Sequence, residues 1–84
     1  MTPREHLRAA RRSLDGCPWA RTWRVRLAIV EAAGDPLDRE AVRAVINHLL
    51  EQGPAGDRGR SAAVGHLTLA WKDAARAAPG GVTR

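Results

Sequence analysis

DPLDREAVRAVINHLLEQG, residues Asp35 to Gly53, is the stretch whose reading decides the fold. Asp35 is placed to cap a helix and Pro36 suits its first position. Asp38 and Glu40 then put negative charge at the positive end of the helix dipole. Leu37, Ala41, Val42, Val45, Ile46, Leu49 and Leu50 recur at spacings of three and four, which gathers most of them on one stripe. Arg39, Glu40, Arg43, Asn47 and Glu51 fall on or beside the other face. Gly53 is expected in a left-handed cap, and Pro54 blocks continuation. Such a helix must bury its stripe against something, so the rest of the chain has to supply partners.

Upstream, Gly34 ends one element immediately before Asp35 opens the next, so the two are expected to be spatial neighbours. From Cys17-Pro18 to Ala33 the chain reads as a helix with two apolar stripes. Trp19, Trp23, Leu27 and Val30 make one; Val25, Ala28, Ile29 and Ala32 make another nearly opposite. A helix apolar on two sides is expected to be central and packed from both. The competing reading is a strand over Arg21–Leu27, which alternates in part. A lone strand would need a second chain to pair with, and the apolar periodicity continues to Ala33, so the helix is preferred.

The N-terminus opens on Thr2-Pro3-Arg4-Glu5, the form of a capping box, and predicts a helix over 3–14. Leu7, Ala10 and Leu14 share its inner side; Arg4, Arg8, Arg11 and Arg12 share a basic outer one. After Gly53, GPAGDRGR is expected to be a mobile Gly/Pro loop over 53–60. A last helix follows over 61–78, with Val64, Leu67, Trp71, Ala74, Ala75 and Ala78 on one side. Gly65, Thr68, Lys72 and Arg76 lie on the other, with Leu69 misplaced among them. Pro79-Gly80-Gly81 stops this helix, leaving 79–84 as a frayed tail.

The expected architecture is therefore all-α, one domain over 1–84. It is a small bundle of about four helices (3–14, 18–33, 36–52 and 61–78) with the second and third central. At 84 residues, with no Phe or Tyr, the core is small enough that a partner subunit would help it. The single cysteine, Cys17, excludes an intramolecular disulfide. The longest aliphatic run, Leu27 to Val30, is far short of the ~20 residues that cross a bilayer. No apolar segment follows the charged N-terminus as a secretory signal requires, so no membrane association and a cytoplasmic location are the expectations.

Net charge is +5 and uneven. Seven Arg against Glu5 and Asp15 leave residues 1–26 at +5. Residues 27–56 carry −3 and residues 57–84 carry +3. Basic ends steer toward nucleic acid or another polyanion. Against that, thirteen of the fourteen bases are Arg in an Ala-, Gly- and Arg-rich chain, so the bias can also be compositional.

Catalytic and metal chemistry find little footing. His6, His48 and His66 are scattered, and neither CxxC nor HExxH occurs. Cys17 has no matched His and carboxylate around it in sequence, so a buried structural thiol is favoured over a nucleophile. There is no phosphate-cradling Gly-rich loop, no GxSxG and no carboxylate pair in an apolar setting. The expectation is a protein without enzymatic activity, cofactor, metal or evident small-molecule substrate. Trp19, Trp23 and Trp71 are expected to share a core cluster.

The leading functional expectation is a helical protein–protein interaction or regulatory module whose partner is another protein or a second copy of the chain. Its expected contacts are Arg4, Arg8, Arg11 and Arg12 on the first helix and a patch of Leu69, Lys72 and Arg76 on the last. The alternative is a small DNA-binding transcriptional regulator of helix-turn-helix type, with the same bases on phosphates. Against it stand the eight-residue GPAGDRGR connection and a last helix poor in base-reading side chains.

Overall fold

The computed structural model describes residues 2–77, and among these there is no strand. Four helices are present: α1 over Pro3–Ser13, α2 over Arg21–Ala33, α3 over Arg39–Gln52 and α4 over Arg58–Ala77. A 3-10 turn over Pro18–Ala20 leads into α2. The chain is the expected small all-α bundle, and 21–27 is helical. The predicted tail at 79–84 and the helix end at Ala78 lie outside the described residues.

The α1 start follows its sequence signal closely. The Thr2 hydroxyl accepts from the Glu5 N–H at 3.2 Å, and the Thr2 N–H donates to Glu5 Oε1 at 2.7 Å. This satisfies two N-terminal donors reciprocally. α3 starts later than expected: its cap is Asp38, whose carboxylate accepts from the Ala41 N–H at 3.1 Å. Asp35 and Pro36 belong to the connection instead. The reason is that Leu37 precedes the cap and packs on the core, where an apolar residue fixes the angle at which the chain enters a helix.

Gly53 is not left-handed, as its φ of −73° and ψ of 148° show. It is there for space. A Cβ at this position would lie 2.7 Å from the Leu49 carbonyl oxygen and 2.8 Å from Trp19 Cη2. The loop predicted over 53–60 closes sooner, because Asp57 caps α4. Its Oδ1 accepts from the Arg60 N–H at 2.8 Å and its carbonyl from the Ser61 N–H at 3.1 Å. The connection is therefore Gly53–Asp57.

The helices form a ring. α1 packs on α2 and α4, and α3 packs on α2 and α4. The expectation that the second and third helices are central is thus corrected: the most extensive interface is between α1 and α4. Its buried faces carry Leu7, Ala10 and Leu14 on one side and Ala63, Leu67, Ala70 and Ala74 on the other. Short side chains let the two backbones approach. Val42, Val45 and Leu49 of α3 and Trp23, Leu27 and Val30 of α2 complete the core. The second stripe of α2 is unpacked: Val25 is 54% exposed and Ile29 64%. Leu50, assigned to the α3 stripe from sequence, is also exposed.

The two interior glycines of α4 predict opposite outcomes for one substitution. A Cβ on Gly59 would lie 2.5 Å from the Ser13 carbonyl oxygen and 2.8 Å from Cys17 Sγ. Gly59→Ala is expected to destabilise by about 1–3 kcal/mol through overpacking. Gly65 has nothing within 4 Å of that position. Gly65→Ala is expected to stabilise by about 0.5–1 kcal/mol, the helix-propensity difference. Urea unfolding of both variants checks the signs. By the same measurement Asp38→Ala should cost about 1 kcal/mol as a lost cap, and Asp35→Ala should stay within about 0.5 kcal/mol.

Candidate interaction surface

The basic face of α1 turns toward α2, where one carboxylate holds two of its four arginines. Arg8 Nε donates to Glu31 Oε2 at 2.6 Å and Arg11 Nη1 to Glu31 Oε1 at 2.5 Å. Glu31 is largely shielded, with its side chain 12% exposed, while those of Arg8 and Arg11 are 56% and 40% exposed. The carboxylate is thus spent inward and the guanidinium edges remain available outward. Glu31 is held below the ordinary carboxylate range, first by the Arg8 hydrogen bond and further by Arg11, against the opposing effect of burial.

Arg4 reaches toward the end of α2, where a Cβ added to Gly34 would lie 3.5 Å from its Nη2. Arg12 has no acidic partner within ion-pair distance among the described residues. Arg24 of α2 joins the group and pairs with the exposed Asp15 at 2.7 Å. Two adjoining open depressions, about 320 and 460 Å³, run along this seam and share Arg8 and Arg11. Arg12, Asp15 and Arg24 line one; Arg4, Ala28, Glu31 and Ala32 line the other. They have room for side chains but do not enclose a small molecule.

The structure thus brings Arg4, Arg8, Arg11 and Arg12 into one seam, as their shared helix face implied. Leu69, Lys72 and Arg76 are exposed on α4. Leu69 is 46% exposed, and Arg76 lies 3.8 Å from Asp73. The inner face of α4 packs on α1 and α3, so this is a separate patch. Sequence reasoning missed Val25, Ile29 and Arg24. The second stripe of α2 was visible, but the reading placed it in the core.

The other candidate residues have structural settings. Trp23 is stacked on His48 at 4.5 Å, with Arg26 on the ring at 5.2 Å. Arg39 lies 4.1 Å over Trp71 and donates to its carbonyl. Trp19 donates to Asp57 Oδ2 at 3.4 Å. The predicted shared tryptophan cluster is replaced by three separate partnerships. Cys17 is buried and its Sγ donates to Asp57 Oδ1 at 3.7 Å. Burial first, then the Asp57 charge, pushes the thiol up from its ordinary value, which disfavours a thiolate nucleophile.

His6 and His66, far apart in sequence, meet between α1 and α4 with ring centroids 6.0 Å apart. His6 Nε2 lies 3.5 Å from Asp73. Among the described residues, no group of three or more ligating side chains is placed to hold a metal ion, and no helix is long and apolar enough to cross a membrane. Comparison with known protein families, with curated proteins and with solved structures gives no match.

The Glu31 clamp has a definite pH dependence. A carboxyl whose pKa is lowered on folding contributes stability above its unfolded value, and that contribution is lost as pH falls through the folded value. Glu31→Gln is therefore expected to be less stable than the wild type at neutral pH. The gap should close only as pH falls below the ordinary carboxylate range, where the wild-type carboxyl becomes protonated as well. Urea midpoints across that range measure it; a gap independent of pH would show that the charge of Glu31 contributes nothing.

Proposed function

We propose that this protein is a non-catalytic helical interaction module that regulates or tethers a protein partner through the face shared by α1 and α2. One observation carries the reading. Val25 and Ile29, one turn apart on α2, are each more than half exposed, and Ala28 and Ala32 on the adjoining flank of the same helix line the seam with the α1 arginines. Isolated exposed aliphatic residues are ordinary. Two on one helical stripe, beside fixed guanidinium groups, have the composition of an interface: an apolar centre with an Arg rim. The patch of Leu69, Lys72 and Arg76 is kept as a second, smaller contact.

A second reading, a small DNA-binding regulator, gains from one structural fact. The connection between α3 and α4 is Gly53–Asp57 rather than the eight residues read from sequence, which brings it near the length of a helix-turn-helix turn. Against it, the exposed side of α4 carries Leu69 at its middle and lacks Asn or Gln for base edges.

A photo-crosslinking amino acid at position 29, used in the native cell, separates the two. Protein adducts from position 29 that are lost on Arg12→Glu support the module. Retention on duplex DNA at ~50 mM salt, falling log-linearly as salt is raised, together with absence of protein adducts, replaces it with the DNA reading.

A further inference from the structure

We infer that the α1–α2 face receives an amphipathic helix of another protein, with acidic residues flanking its apolar stripe. The inference rests on the interaction-module reading above and specifies its occupant. The shape comes first. Val25 and Ile29 follow one another on the outer side of α2 and lead to Ala32, where the row meets the seam; from Val25 to Ala32 it is about 10 Å long at 1.5 Å rise per residue. That length matches the i, i+3 or i+4, i+7 anchors of a helix laid in a groove. Beside the row, Ala28 and Ala32 leave a furrow walled on the α1 side by Arg4, Arg8 and Arg11. A Leu-sized anchor seated over those alanine methyls is bordered by guanidinium groups on one side and by Val25 and Ile29 on the other.

Charge then selects the flanks. The seam holds five arginines against two carboxylates, Glu31 and Asp15. Glu31 fixes Arg8 and Arg11 in place, so their outward N–H groups are preorganised to donate to a second carboxylate. Among the described residues Arg12 has no acid to release before pairing. Asp15 is 70% exposed, so its hold on Arg24 is a solvent-screened pair that an incoming Asp or Glu can exchange. Planar, forked donors on one side of an apolar row match carboxylates spaced along a helix.

A second copy of the chain is the poorer occupant. A two-fold contact through this face sets the same surface against itself, which brings together two faces that each carry five arginines against only Glu31 and Asp15. A phosphate-driven contact leaves Val25 and Ile29 without a role, because backbone phosphates offer them no apolar surface.

The test uses the full chain and a fluorescent helical peptide of about 18 residues, with Leu along one stripe and Glu on its flanks. A twin peptide carries Gln at every Glu position. Anisotropy is expected to show binding of the acidic peptide, at least about tenfold weaker binding of the twin, and a similar loss for each of Ile29→Asp and Arg12→Glu with helical circular dichroism unchanged. Equal affinity for both peptides, or indifference to Ile29→Asp, overturns the inference. So does binding of phosphatidylserine vesicles without binding of the peptide, or self-association in sedimentation that Ile29→Asp abolishes. Protein adducts from position 29 in cells combined with no peptide binding show that the occupant is wrong while the module reading stands. Loss of both removes the module reading as well.

Discussion

The rest of the fold depends on the carboxylate of Asp57. It caps α4 through the Arg60 N–H and also accepts from Trp19 and Cys17. One side chain therefore starts the longest helix and ties that start to the turn between α1 and α2. The groups reinforce one another electrostatically. The capping N–H, and after it Trp19 and Cys17, hold Asp57 below the ordinary aspartate range, while burial and the Asp57 charge keep the Cys17 thiol protonated and able to donate. Gly59 lets this junction close, since its Cα rests where any side chain would meet the Ser13 carbonyl. With the start of α4 docked on the end of α1, the small residues of the two helices come into register. The turn at Pro18–Ala20 then launches α2 along the outer flank of α1.

That placement explains why α2 has one packed side. In a ring of four helices each has two neighbours, both on its inward half. Trp23, Leu27 and Val30 meet that requirement, with Trp23 closed over by His48. Nothing within the described residues covers Val25 or Ile29. Two apolar stripes on one helix are compatible with a helix packed from both sides and with one whose outer stripe faces solvent. Periodicity does not distinguish them, because it records where apolar residues lie and not how many neighbours the topology supplies. Helix existence was legible in the sequence for the same reason that centrality was not: Thr2 with Glu5 signals a start locally, whereas the pairing of α1 with α4 joins segments that begin more than fifty residues apart, at Pro3 and Arg58.

The misplaced boundaries share a physical cause. Asp35 and Asp38 are both competent caps, and the choice between them falls to tertiary packing of Leu37 against the core. In GPAGDRGR the glycine content reads as a loop, yet Gly59 is inside a helix because the helix end must pass close to α1. Gly53 is likewise required by the nearby Trp19 ring and Leu49 carbonyl. Glycine signals a turn and a close approach with the same letter. Of the candidate surface, the α1 arginines were legible as one face. Their anchor Glu31 and the neighbouring α2 stripe were not, since both depend on how two helices rotate against each other.

The arginines also divide by use. Arg39 over Trp71, Arg26 on Trp23 and Arg60 at the Gly53 carbonyl spend their planar heads on packing and capping within the fold. Those on α1 do not. Arg8 and Arg11 are oriented by Glu31 yet stay about half exposed, and Arg4 and Arg12 extend the row in both directions. Val25 and Ile29 stand in a comparable position. As β-branched residues in a helix they are poorer helix formers than Ala, Lys or Glu, and at more than half exposure they recover only part of the ~1.5–3 kcal/mol that full burial of such side chains provides. For the isolated chain, then, the outer side of α2 is suboptimal in both propensity and solvation. A second apolar surface laid along it would bury the remaining area against arginines whose orientation the fold has already fixed.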